Sequence, residues 1–175
     1  MINKRSALSL LHKHTKHLPN ADWLKRHVIW VSEIAFEIAK KIKKKHPRLK
    51  IHPHKVKIAW LLHDIWKAKD WDHELNSVKI LKKEWLSEIA DIIIHSFVYE
   101  LFLLEWKEKK EYLPKTLENK IIIYADYLFN DEKVTLKERI REIRERKKDE
   151  PKRIAALKLA ESRLYDIEKE IKSLM

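Results

Sequence analysis

The chain contains neither cysteine nor glycine. Without cysteine, disulfides, zinc–thiolate sites and thiol nucleophiles are excluded, and the strong metal ligands that remain are His, Asp and Glu. Without glycine there can be no P-loop and no GxGxxG dinucleotide fingerprint, so phosphate must be handled by other groups. No apolar run reaches the ~18 residues that a membrane span needs. The opening MINKRSALSLLHKH lacks a secretory cleavage pattern. The expectation is a soluble, cytoplasmic protein with no membrane partner. Acidic residues are the minority charge: 39 Lys and Arg stand against 27 Asp and Glu, a net charge of +12 that would attract polyanions such as nucleotides or nucleic acid. The Lys-, Glu- and Arg-weighted charge, with only two Met, fits the ion-pair-rich composition associated with hyperthermophile proteins.

A length of 175 residues suits one domain with a helical appendage. Pro19, Pro47, Pro53, Pro114 and Pro151 fall between periodic segments, and nothing alternates as a strand does, so the chain reads as helices joined by short turns. Apolar periodicity predicts helices over 3–17, 22–46, 54–65, 72–84, 86–104, 114–130, 133–148 and 151–174. Pro53, Pro114 and Pro151 each suit a first helical turn, where a missing N–H does no harm. The last helix carries Leu157, Ala160, Leu164, Ile167, Ile171 and Leu174 three and four apart, a narrow seam with charged flanks. Such a seam must be covered, either by its own domain or by a second copy in a homodimer.

The informative positions are those where ionisable groups interrupt apolar runs, because burying such a group is costly unless it is paired or bound to metal. His27 sits against Val28-Ile29-Trp30-Val31. His63 and Asp64 end Ile58-Ala59-Trp60-Leu61-Leu62, His95 follows Ile92-Ile93-Ile94, and Asp126 lies inside the run from Ile121 to Phe129. One of these alone would mean little, since a lone buried His is usually satisfied by a carbonyl. Four of them, on four predicted helices, fit the way helical bundles aim His and carboxylate side chains inward at a metal such as Mn, Fe, Co or Ni.

The residues resemble the HD superfamily of metal-dependent phosphohydrolases, whose pattern is a His, then a His-Asp pair, then a distant Asp. The resemblance runs from about residue 20 to 132: LKRHVIWVSEIAFEIAKKI offers His27, AWLLHDIWK offers His63 and Asp64, and IIIYADYLF offers Asp126. It implies an all-α, HD-domain-like helical bundle over 1–132, its core at about 20–132. Residues 133–175 form a C-terminal helical extension packing on the domain or on a partner subunit. It further implies His27, His63, Asp64 and Asp126 as ligands of a divalent metal (Mn, Fe, Co, Ni or Mg), with His73 and His95 resembling the extra ligands of binuclear members. Lys67 keeps the family's basic residue after the signature, where a phosphate contact is implied. The chain departs from the pattern at Trp66, where many relatives have glycine, and at Ser96, where a second His is frequent.

The reaction so implied is hydrolysis of a phosphoester or phosphoanhydride of a nucleotide-like substrate by a metal-activated water. His63, Asp64, Lys67 and His95 are its candidate catalytic residues. Glu33, nearly two turns beyond His27, is not expected to reach the same ion. A rival reading rests on Lys40 to Lys57, where nine Lys or Arg occur and no acidic residue appears between Ile38 and His63. That segment could bind phosphate backbones, making the chain a basic nucleic-acid-binding protein with a structural or vestigial HD site. His46, His52 and His54 within it are expected to be exposed.

Overall fold

The computed structural model describes residues 2–66, 73–94, 97–130 and 132–175. Among them are nine α-helices: α1 (Lys4–Thr15), α2 (Ala21–Lys45), α3 (Pro53–Leu62), α4 (His73–Lys83), α5 (Ser87–Ala90), α6 (Val98–Leu103), α7 (Leu117–Tyr127), α8 (Leu136–Arg146) and α9 (Pro151–Leu174). The fold is all-α. The departures are a 3-10 turn at Lys110–Tyr112 and a two-residue antiparallel pairing of Phe129–Asn130 with Glu132–Lys133, too short to have left an alternating pattern.

α3 is the centre. Val56, Ile58, Ala59, Trp60, Leu61 and Leu62 are all buried, so this helix is apolar nearly all round, as a helix enclosed by others must be. Its main partner is α2, which buries Leu24, Val28, Val31, Ala35, Ile38 and Ile42 at helical spacing; α1, α5 and α7 complete the enclosure. Pro53 opens α3 at a position that needs no N–H donor. The preceding His52 makes no side-chain cap. Instead the buried carboxylate of Glu118, on α7, accepts from the His52 backbone N–H (2.9 Å) and lies 3.0 Å from Lys55 Nζ. A negative charge at this positive helix end ties α7 to α3.

Side-chain caps set two other starts. Pro114 does not enter the first turn of α7, which begins three residues later behind a reciprocal Thr116–Asn119 capping box; α8 likewise starts at Leu136 behind Thr135 and Glu138 rather than at 133. The single helix expected over 86–104 is broken. α5 ends in a turn at Asp91-Ile92, whose carbonyl at Asp91 accepts from Asn119 Nδ2 (3.2 Å), and α6 begins only at Val98. The β-branched run Ile92-Ile93-Ile94 supplies apolar bulk without strong helix propensity, and Ile92 and Ile93 are buried.

On α9 the seam residues Leu157, Ala160, Leu164, Ile167 and Ile171 are buried against α6, α7 and α8 and share one continuous core with α2 and α3. The seam is covered by the chain's own helices. Arg163 on α9 forks onto the buried Glu100 of α6 through Nε–Oε1 (2.9 Å) and Nη2–Oε2 (2.8 Å), and Lys120 of α7 reaches Glu170 (2.7 Å).

The missing glycine leaves a mark at two helix ends. After α4, Trp85 N–H bonds the Lys82 carbonyl and Leu86 N–H that of Leu81; after α6, Trp106 and Lys107 repeat the pattern onto Leu103 and Phe102. Both are Schellman closures, in which the residue past the helix is left-handed and is ordinarily glycine. Here Trp85 (φ 61°) and Trp106 (φ 59°) occupy it, with side chains 93% and 97% exposed. The Cβ in that conformation costs on the order of 1 kcal/mol, with no burial to offset it. Trp85→Gly is therefore expected to be more stable than Trp85→Ala by about 1 kcal/mol in chemical denaturation; an alanine variant as stable as the glycine variant would contradict the left-handed closure.

Candidate metal centre

The centre forms where the end of α3 meets the start of α2. His63 and Asp64 follow α3 directly, in a turn that continues its right-handed path, and both are 1% exposed. His27 is two turns into α2, on the face that carries Leu24, Val28 and Val31 inward, and is also buried. One ligand atom each of His27, His63 and Asp64 lies within 4.8 Å of the others.

Local chemistry orients these groups. His63 Nδ1 lies 2.8 Å from the carbonyl oxygen of Trp60, and a carbonyl can only accept, so Nδ1 is the donor of that bond and Nε2 is the nitrogen turned to the centre. That Nε2 stands 3.3 Å from Asp64 Oδ2. A carbonyl behind the ring is the usual way a protein fixes a metal-binding imidazole. The His27 ring is stacked on Trp23 (5.1 Å, 7°) and flanked by Trp60 (6.3 Å) and Phe129 (5.8 Å). The Trp60 ring lies 3.9 Å from that of His63. Aromatic walls hold both imidazoles and lower the local dielectric, which strengthens any charge interaction between them.

α4 brings a second group. His73, half-buried at its first residue, places Nε2 3.7 Å from Asp64 Oδ1 and Nδ1 3.2 Å from Glu74 Oε2. The helix is held there by the buried Ser77, whose Oγ accepts from the Trp66 backbone N–H (3.1 Å). Asp64 thus faces His63 with one oxygen and His73 with the other.

The remaining candidates are placed as follows. Asp126 is half-buried in the last turn of α7 and outside the 4.8 Å group; three residues on, Phe129 packs against His27. Lys67 and His95 lie outside the described residues. Glu33 points away, ion-paired with Lys4 (3.0 Å) and Lys57 (2.5 Å), which hold its carboxyl below the usual range, mainly through the Lys57 hydrogen bond. In the basic segment His52 and His54 are exposed, but His46 is half-buried where Lys43 folds back onto the Pro47 and Leu49 carbonyls. Sequence reasoning passed over Glu74, Ser77, Trp23 and Trp60. Glu74 is a buried acid on a charged helix, and its single signal was its position beside His73.

The residue types suit a divalent ion: two imidazoles and a carboxylate, with no thiolate, in a buried cleft between helices. Comparison with known proteins agrees. The profile of the HD domain matches residues 24–131. An uncharacterized protein of Methanocaldococcus jannaschii is 33% identical over 128 residues, covering 69% of this chain and 75% of that protein. No solved structure is a significant match. Because the matched segment spans more than half of the chain and holds every residue that converges at the end of α3, the chain belongs to the HD-domain family, whose members bind divalent metals and are generally hydrolases.

Proposed function

We propose that the protein is a metal-dependent phosphohydrolase acting on a nucleotide-like phosphoester or phosphoanhydride. The observation that carries this reading is the approach of His63 Nε2 to Asp64 Oδ2 at 3.3 Å in a pocket nearly closed to bulk solvent, with His27 beside them. A ring nitrogen and a carboxylate oxygen held this close in an apolar interior, with a second imidazole beside them, are a ready set of ligands for a cation. His27, His63 and Asp64 would hold that ion, with Asp126 the proposed fourth ligand from α7. When bound, a divalent ion supplies an acidified water and neutralises charge on a phosphoryl oxygen.

The chain's own groups then have separate tasks. The Trp60 carbonyl keeps the proton on His63 Nδ1, and Trp23 and Phe129 exclude solvent around His27. Lys67 is assigned to phosphate charge and His95 to a second ion or the leaving group. His73, turned toward Asp64 by Glu74, is the candidate ligand of a second ion, with Asp64 shared between the two. The net charge of +12 supports an anionic substrate.

Purified protein dialysed against chelator is expected to lose hydrolysis of a nucleotide panel and to regain it with Mn²⁺ or Co²⁺. Asp64→Asn should lower kcat/KM at least about 100-fold, beyond the 10–100-fold usual for groups behind the ligands. Activity indifferent to both treatments would overturn the proposal. Glu74→Gln is expected to weaken binding of a second equivalent of Mn²⁺ about 10-fold in calorimetry while leaving the first unchanged, since it removes the carboxylate charge that faces His73 Nδ1. Equal loss at both equivalents would assign Glu74 a purely structural role.

The basic segment keeps one second reading in play. Lys40, Lys55 and Lys57 are ion-paired with Glu37, Glu118 and Glu33, while Lys41, Lys44, Lys45, Arg48 and Lys50 are exposed with no acidic partner among the described residues. These five favour attraction of polyanions, nucleic acid included. That binding would survive Asp64→Asn and fall steeply with salt.

A further inference from the structure

A large groove lies away from the metal centre. It is an open groove of about 1180 Å³ between the outer face of α2, the end of α7 and the C-terminal end of α9. Its floor is apolar: Ile29, Ile34 and Ile38 from α2, Leu128 after α7, Val134, and Met175 at the end of α9. Five of these side chains are half-buried and Ile38 is buried, and an apolar groove with a charged rim is the kind of surface that marks an interaction site.

The rim is selectively basic. Each of its three acids is already neutralised: Glu33 by Lys57 and Lys4, Glu37 by Lys40 (3.7 Å), and Glu168 by Lys172 (2.9 Å). Lys41, Lys44 and Lys133 are exposed and have no acidic partner among the described residues. The groove therefore offers an apolar bed bordered by three uncompensated positive charges.

Length and volume narrow the occupant. Residues 29 to 44 of α2 line it over about 22 Å at 1.5 Å per residue, roughly four helical turns. The volume exceeds the ~300–1,000 Å³ typical of small-molecule sites. An aliphatic floor is poorly matched to nucleic acid, which is held by stacking faces and cations along a backbone. A second copy of this chain, carrying +12 itself, would bring like charge to a basic rim.

We infer that the α2–α7–α9 groove docks an amphipathic helix of a partner protein, about four turns long, with apolar side chains at i, i+3, i+4 and i+7 and acidic flanks. Its apolar stripe lies on Ile34, Ile38 and Leu128, and its carboxylates meet Lys41, Lys44 and Lys133. One end of the groove reaches Trp30, which stacks on Phe129 (5.1 Å, 22°), the residue that also packs on His27. The docked helix thus ends one aromatic layer from the metal centre. The inference does not depend on the ion or on the hydrolytic reading.

The test is fluorescence anisotropy with a labelled 18-residue peptide of leucines at those spacings and glutamates on the flanks, against a permuted peptide of identical composition. Saturable micromolar binding of the first peptide alone is expected. It should weaken at least tenfold in the surface double variant Lys41→Glu/Lys44→Glu, whose melting curve should match the parent's, and in Ile34→Asp. No saturable binding, equal binding of the permuted peptide, or indifference to the double charge reversal would overturn the inference. So would displacement by oligothymidylate at equal concentration, which would make the face a nucleic-acid surface. A concentration-dependent dimer in sedimentation, abolished by Ile34→Asp, would assign the groove to a second copy instead.

Discussion

Two imidazoles and a carboxylate share an interior nearly closed to bulk solvent, and much of the architecture serves to keep them there. Burying an ionised carboxylate without compensation costs several kcal/mol even after relaxation. His63 and Asp64 are adjacent in sequence, so the turn at the end of α3 delivers both at once, and the long α2 delivers His27 from the side. α3 can hold that turn in place because it is apolar on nearly all faces, enclosed by α1, α2, α5 and α7. Its far end is pinned by Glu118, a buried acid whose oxygen replaces the side-chain cap that His52 does not provide.

The same economy shows in the absence of glycine. Helix ends that would ordinarily turn through glycine do so through Trp85 and Trp106, and helix starts rely on Thr116 and Thr135 with their capping partners. Ion pairs carry the cross-links between peripheral helices: Arg163 with Glu100, Lys120 with Glu170, and Lys152 of α9 with Glu105 beyond α6. Of these, Lys120–Glu170 and Lys152–Glu105 are partly exposed and contribute little individually at room temperature, and the apolar core from α2 through α9 remains the main source of stability.

Much of this was legible in the sequence, for identifiable reasons. Apolar periodicity and proline placement located α2, α3 and α9 because these helices bury continuous stripes. They misplaced the starts of α7 and α8, where a capping box sets the boundary, and fused α5 with α6, because a β-branched apolar run reads like a helix face while its burial comes from tertiary packing. Ionisable residues inside apolar runs pointed to His27, His63 and Asp64, which the fold brings within 4.8 Å. His73 entered only through resemblance, and its geometry shows why local pattern could not find it. Its closeness to Asp64 depends on a Ser77–Trp66 hydrogen bond across eleven residues, and its orientation on a glutamate that reads as one more surface charge. The α2–α7–α9 groove was invisible for the same reason, being made of three distant segments.

The central claim is that His27, His63 and Asp64 bind one divalent ion together. Crystals of the protein grown with Mn²⁺ and measured at the manganese edge test it directly. An anomalous peak is expected within ordinary metal–ligand bonding distance, about 2.0–2.2 Å, of an imidazole nitrogen of His27, His63 Nε2 and an Asp64 oxygen. A structure with manganese elsewhere, or with His63 and Asp64 closed on each other and no peak between them, would contradict it.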